Sequence, residues 1–237
     1  MIITPTADGW RCITQPDHAR LSREILSLWR SDGLPDHPRR ETLLVATREH
    51  DNGWQEADSA PRLNRARGCP HDFISMPSAD RLALWRRGVE RHRQDMPYVA
   101  ALILEHARRL HSDAATEGAW AEFLSMLDSL RGELLEESGE SVENLLGDYR
   151  WLEVADSLSL AMCSGLSDAF ECHGFNGQLL GETLHLEPFP LAGSTTFSVA
   201  CRCLAQGDWD SDAEIAVALA QCPWREATFR IAPATQN

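Results

Sequence analysis

The chain has 237 residues, 43% of them hydrophobic, with 36 acidic against 22 basic side chains and a formal charge of −14. That balance excludes a general affinity for nucleic acid, because a phosphate backbone calls for a basic surface. Every basic side chain is an arginine, which also excludes lysine Schiff-base chemistry and a lysine-bearing phosphate loop.

The opening MIITPTADGW has no basic region followed by an apolar run, so no signal peptide is expected. Nor does any later run reach the roughly 18 apolar residues of a membrane span. A first helix is predicted over about 17–30, where Leu21, Ile25, Leu28 and Trp29 form a stripe behind Pro16-Asp17. A second, about 40–51, carries Leu43, Leu44 and Ala46, closes on His50-Asp51 and is stopped by Asn52-Gly53. Residues 55–77, with Pro61, Gly68, Pro70 and Pro77, read as a long irregular loop of the kind that carries function. Helices follow at about 78–95, 97–111, 116–136 and 141–169, with Pro97 fitting a first turn. From about 173 glycine, proline and threonine enter, giving strands over 195–204 and 228–231 around a short helix at 211–221. There is no internal repeat. The expected fold class is mainly α, a helical bundle over 1–170 with a small β-containing extension over 171–237.

Seven cysteines, an odd number without a CxxC pair, read as reduced buried thiols of a cytoplasmic protein. The histidines and their acidic neighbours are more informative. His18 opens the first helix, His50-Asp51 closes the second, and Asp156 lies among apolar residues in VADSLSL. Imidazole and carboxylate groups from separate helices of a bundle can surround one divalent ion.

The His…His-Asp…Asp arrangement and the string ADSLSL resemble the HD superfamily of metal-dependent phosphohydrolases. QPDHARLS, EHDNGW, DFISMP and MPYVAALILEH are similar to an uncharacterised bacterial family of HD-like proteins. The resemblance implies an all-helical HD domain with His18, His50, Asp51 and Asp156 as ligands of a divalent metal, one or two ions of Mn, Fe, Mg, Ni or Zn. His106, and less clearly His92, would serve a second ion, although they stand closer in sequence than in two-metal members. The implied activity is hydrolysis of a small phosphorylated metabolite or nucleotide by a metal-bound hydroxide, with Asp51 and His106 as catalytic groups. Arg86 and Arg87 could grip phosphate, Trp54 could wall the pocket, and Asp58 with the 55–77 loop could cover it. Two other functions stay open: a di-iron oxygenase using six ligands including His92 and His106, and a non-catalytic sensor or interaction module. The expected partner is a small phosphorylated molecule, not nucleic acid or membrane, and the reading leaves room for a homodimer.

Overall fold

The computed structural model describes residues 1–114 and 118–234. It is 50% helical and 21% strand, with a curled seven-stranded half-barrel sheet, so the expected mainly α bundle with a small β extension is corrected to a mixed α/β fold.

The sheet takes strands from both ends of the chain. A hairpin of β1 (Ile2–Thr6) and β2 (Gly9–Ile13) begins it. β5 (Phe170–Cys172), β6 (Phe175–Leu180), β7 (Thr183–Glu187), β8 (Thr195–Ala205) and β9 (Trp224–Pro233) complete it, while β3 (Leu63–Asn64) and β4 (Cys69–Pro70) form a separate small hairpin. The order across the sheet is β1-β2-β8-β9-β7-β6-β5. All pairings are antiparallel except β7 with β9. Pro5 is tolerated because β1 lies at the edge, where a missing N–H breaks no inner ladder.

Successive strand residues point to opposite faces, and the sheet uses both. Ile2, Ile13, Phe197 and Val199 join the large helical core, while Ile3, Cys12 and Leu204 meet Ile215 and Leu219 of α8 (Asp212–Gln221) in a smaller one. Against the first face lie α1 (Gln15–Ser27) and α7 (Val142–Ser164), with α2 (Arg40–Glu49) packed on both. The central helix is α5 (Pro97–Leu110), buried without a break from Tyr98 to Ala107 and contacted by α2, α4 (Ser78–Glu90), α6 (Gly118–Ser138) and α7. Its one buried carboxylate, Glu105, is held by Arg108, Arg109 and Arg131. Residues 55–77 are not bare loop: they hold α3 (Gln55–Ser59) and the β3–β4 hairpin. The first two positions of the helix expected over 116–136, and the last three of the 171–237 stretch, lie outside the described residues.

No helix among the described residues is long and apolar enough to cross a membrane.

Candidate metal centre

Strand β2 hands the chain directly to α1. Thr14 caps the helix by accepting from Asp17 N–H, as a β-region cap residue does, and Pro16 takes the first turn without losing a needed donor. His18 is thereby fixed on the first buried turn, 1% exposed. At the end of α2, His50 is the last αR residue and Asp51 turns into a 3-10 turn over Asn52–Trp54. Asn52 ties that turn down by donating to the carbonyls of Glu49 and Gly88. Gly53 is required for closeness: a Cβ there would stand 2.2 Å from the Leu84 carbonyl oxygen of α4. The Asn-Gly pair therefore seats α4 against the His-Asp doublet as well as ending a helix.

His18, His50, Asp51, His106 and Asp156 converge. His18 Nε2 lies 2.8 Å and His50 Nε2 3.3 Å from Asp156 Oδ1. Asp51 Oδ2 lies 3.5 Å from His50 Nε2 and 3.9 Å from His18 Nε2. His106 Nε2 lies 3.9 Å from Asp156 Oδ2. Two groupings within this set bring their ligand atoms within 4.8 Å of one another: His18, His50 and Asp51, and His50, His106 and Asp156. Ligands about 2.1 Å from an ion stand about 3.0 Å apart at right angles and about 3.4 Å apart in a tetrahedron. The 2.8, 3.3 and 3.5 Å spacings are close to these values and the two at 3.9 Å are wider, so the set could hold a metal ion.

The hydrogen bonds on the far sides of the rings decide the chemistry. His50 Nδ1 is 2.7 Å from the Thr47 carbonyl, which only accepts, so Nδ1 carries the proton. The Ser159 hydroxyl donates to the His18 carbonyl and must therefore accept from His18 Nδ1–H. With Nδ1 carrying a proton, each ring when neutral turns an Nε2 lone pair toward carboxylate oxygens, and when protonated donates to them, as the 2.8 Å hydrogen-bond distance from His18 Nε2 to Asp156 Oδ1 accommodates. His50 Nε2 is buried and has no hydrogen-bond partner. Such a cluster is short of positive charge, and a proton or a cation must supply it.

The ionisation of the side chains shows the same shortage. Burial opposes an imidazolium at His50, yet Asp51 and Asp156 outweigh it and raise its pKa well above the usual 6.5. Burial likewise opposes ionised carboxylates, but the imidazoles hold Asp51 below the usual range and Asp156 well below it. His106 behaves differently: burial pushes it down to about 4, so it is neutral, with Nδ1 3.1 Å from the Tyr149 hydroxyl.

The centre opens into a pocket of about 240 Å³ lined by Gln15, Trp54, Phe73, Arg81, Trp85 and His111 together with four of the five converging residues. Asp156, the most exposed of the five at 9%, faces it. A larger cavity of about 500 Å³ lies between α1 and α8 but reaches none of the five; four of them open into the smaller one.

Other anticipated residues lie elsewhere. His92 pairs with Glu49 at 3.4 Å and joins neither grouping. Arg87 is engaged by Glu56 and the Gly53 carbonyl, and Arg86 lies over the Phe123 ring. Asp58 is buried on the Met1 amine and the Gln15 N–H, beside the larger cavity. Trp54 lines the pocket. The sequence reading does not point to Gln15, Arg81, Trp85, Tyr149 or Ser159. The usable signal was helical phase: Gln15 and Ser159 stand three residues from ligands, and Tyr149 stands seven before Asp156.

A family model described as a protein of unknown function, DUF3891, matches residues 1–206, and the chain belongs to that family. No curated protein and no solved structure matches it. Membership of the HD superfamily is thereby corrected: the matching family has no assigned function, and a curled seven-stranded sheet is not part of an HD helical domain. The label HD domain falls with it, all-α falls to the mixed α/β fold, and the family lends the label hydrolase no support.

Proposed function

We propose that the five converging side chains hold a divalent transition-metal ion and that the protein uses it to hydrolyse a small phosphorylated substrate. One observation carries the metal-binding part of this reading: His50 Nε2 is buried without a hydrogen-bond partner and faces two carboxylates, while its Nδ1 is committed to Thr47. A mixed set of three imidazoles and two carboxylates suits Mn, Fe, Ni or Zn better than Mg or Ca, which prefer oxygen. One ion is favoured over two, because His92 is engaged with Glu49 outside the cluster. That placement also leaves the six-ligand oxygenase without one of its ligands.

When bound, a divalent ion lowers the pKa of a coordinated water and polarises a phosphoryl oxygen. The chain's own groups do the rest. Water oxygen bonds to phosphorus, the ester P–O bond breaks, and the alcohol departs with a proton. Asp51 and Asp156 are the groups able to take the attacking water's proton. The His18 and His50 rings are not, since with Nδ1–H fixed on Ser159 and Thr47 their one remaining lone pair, at Nε2, would be committed to the ion. A cytoplasmic setting fits the seven unpaired cysteines, four of them buried.

The test is turnover of p-nitrophenyl phosphate by protein reconstituted with Mn, Fe, Ni or Zn in turn, compared with His50→Ala. Turnover at least 100-fold above the variant with one of these ions supports the reading. Metal uptake without turnover on this or a panel of phosphate esters would contradict the hydrolytic part.

A further inference from the structure

The walls of the pocket differ in character from its floor. Beyond the converging residues, the lining is Trp54, Trp85, Phe73, Ile74, Leu110 and Leu160, with Gln15, Arg81 and His111. No serine, threonine, tyrosine or asparagine side chain lines it among the described residues. Two of the apolar residues stay open to solvent at the rim, Ile74 at 72% and Leu110 at 55% exposure, which an isolated domain has no packing reason to arrange together. A polyhydroxylated substrate would leave its hydroxyls without partners on such walls, and unpartnered polar groups are costly to bury. A flat apolar body would fit them.

Arg81 adds the charge. It is the one arginine lining this pocket, and among the described residues no carboxylate pairs with it; its Nε is buried without a hydrogen-bond partner. Elsewhere on or just after α4, Arg87 and Arg91 are both held by Glu56. Trp85 lies one turn from Arg81 on the same face, and its indole Nε1 is likewise buried and unpartnered, as is His111 Nε2 at the end of α5. His111 lies five residues beyond His106, roughly 7–8 Å along the helix, so this group sits beside the converging residues, not among them. The Arg81 guanidinium lies over the Trp120 ring, so its charge rests on an aromatic face and not on a carboxylate, and an anion in the pocket would pair with it.

Resting on the metal-centre reading, we infer that the substrate is an organic phosphate with a flat, apolar, aromatic-like body, not a sugar phosphate, and that Arg81 takes part of its negative charge. The body lies between the indoles of Trp54 and Trp85 and emerges past Ile74 and Leu110. Arg81 is a binding residue here.

The test uses phenylphosphonate and methylphosphonate, which cannot be hydrolysed, titrated calorimetrically into the full chain after its metal content has been measured. Wild-type protein should bind phenylphosphonate at least fivefold more tightly than methylphosphonate. Arg81→Gln should weaken phenylphosphonate at least fivefold, with Arg81→Lys recovering part of the loss. A smaller ratio in either comparison overturns the inference. If Arg81→Gln does not fold, the wild-type ratio decides alone, since it needs no substitution. Failure of wild-type protein to take up metal would sink the metal-centre reading separately, and the same ratios on metal-free protein would still judge this pocket.

Discussion

His50 Nε2 stands 3.3 Å from Asp156 Oδ1 with no hydrogen bond to satisfy it, although the two residues are brought together by helices a hundred residues apart. The far side of the same ring is fixed on its own helix through Thr47. The nitrogen left facing the carboxylates is therefore Nε2, where Asp51 and Asp156 favour a proton and an ion could take its place.

Ser159 orients His18 from the outside, accepting at Nδ1 while donating to the His18 carbonyl. Loss of such an outer partner typically lowers metal affinity 10–100-fold. Ser159→Ala should therefore weaken metal binding by roughly that factor with helicity by circular dichroism unchanged. Unchanged affinity in a competition with a chelating dye would show that Ser159 has no orienting role.

The pH dependence has a definite sign. In metal-free protein the raised pKa of His50 contributes stability fully present below its ordinary 6.5 and lost as pH rises through the raised value. The lowered pKa values of Asp51 and Asp156 contribute stability present above their ordinary 3.8 and lost as pH falls through the lowered values. Metal-free protein should thus lose melting temperature from about pH 6.5 upward, while protons compete less with the ion. The gap in Tm between metal-loaded and chelator-treated protein should widen from about pH 6 to about pH 8.5. A gap that narrows would contradict the assignment.

Gly53 and Gly147 make a matched pair. A Cβ at Gly53 meets the Leu84 carbonyl at 2.2 Å, whereas one at Gly147, exposed within α7, meets nothing within 4 Å. Gly53→Ala should destabilise by about 1–3 kcal/mol or more, and Gly147→Ala should stabilise by roughly 0.5–1 kcal/mol. Urea unfolding of both variants checks this; equal effects would mean that α4 does not seat on the doublet as described.

Away from the centre, Asp148 of α7 is 1% exposed, accepts two hydrogen bonds from Arg39 and one from Tyr98 of α5, and lies 3.2 Å from His37 Nε2. Asp148→Ala leaves those donors without their acceptor, and breaking such a buried pair costs about 3–5 kcal/mol. Metal content should be retained in whatever fraction folds. A loss under about 1 kcal/mol, the scale of an exposed pair, would show that the cluster is not structural.

The helices were legible because packing against a core imposes a 3.6-residue stripe that survives in one sequence. α5 shows it at its strongest, and His50-Asp51 stood out by breaking the pattern. Most of the sheet was not legible. β1 contains a proline, pairs locally with β2, and reaches the C-terminal strands only through β2 and β8, a contact that no local pattern encodes. In β6 the inward positions are Phe175, Gly177 and Leu179, and the alternation is broken at Gly177 because the Phe170 ring occupies the space its side chain would need. The pocket wall was missed for a reason of phase. Arg86 and Arg87 drew attention as a charged pair, but Arg81 and Trp85, one helical turn apart, are the residues of α4 that reach the pocket.

The central claim is tested most directly by elemental analysis of the purified, reconstituted protein beside His50→Ala and Asp156→Ala. The proposed function predicts about one transition-metal ion per chain in the wild type and its loss from both variants, with helical circular dichroism preserved. Metal retained by both variants, or none taken up by the wild type, would contradict it.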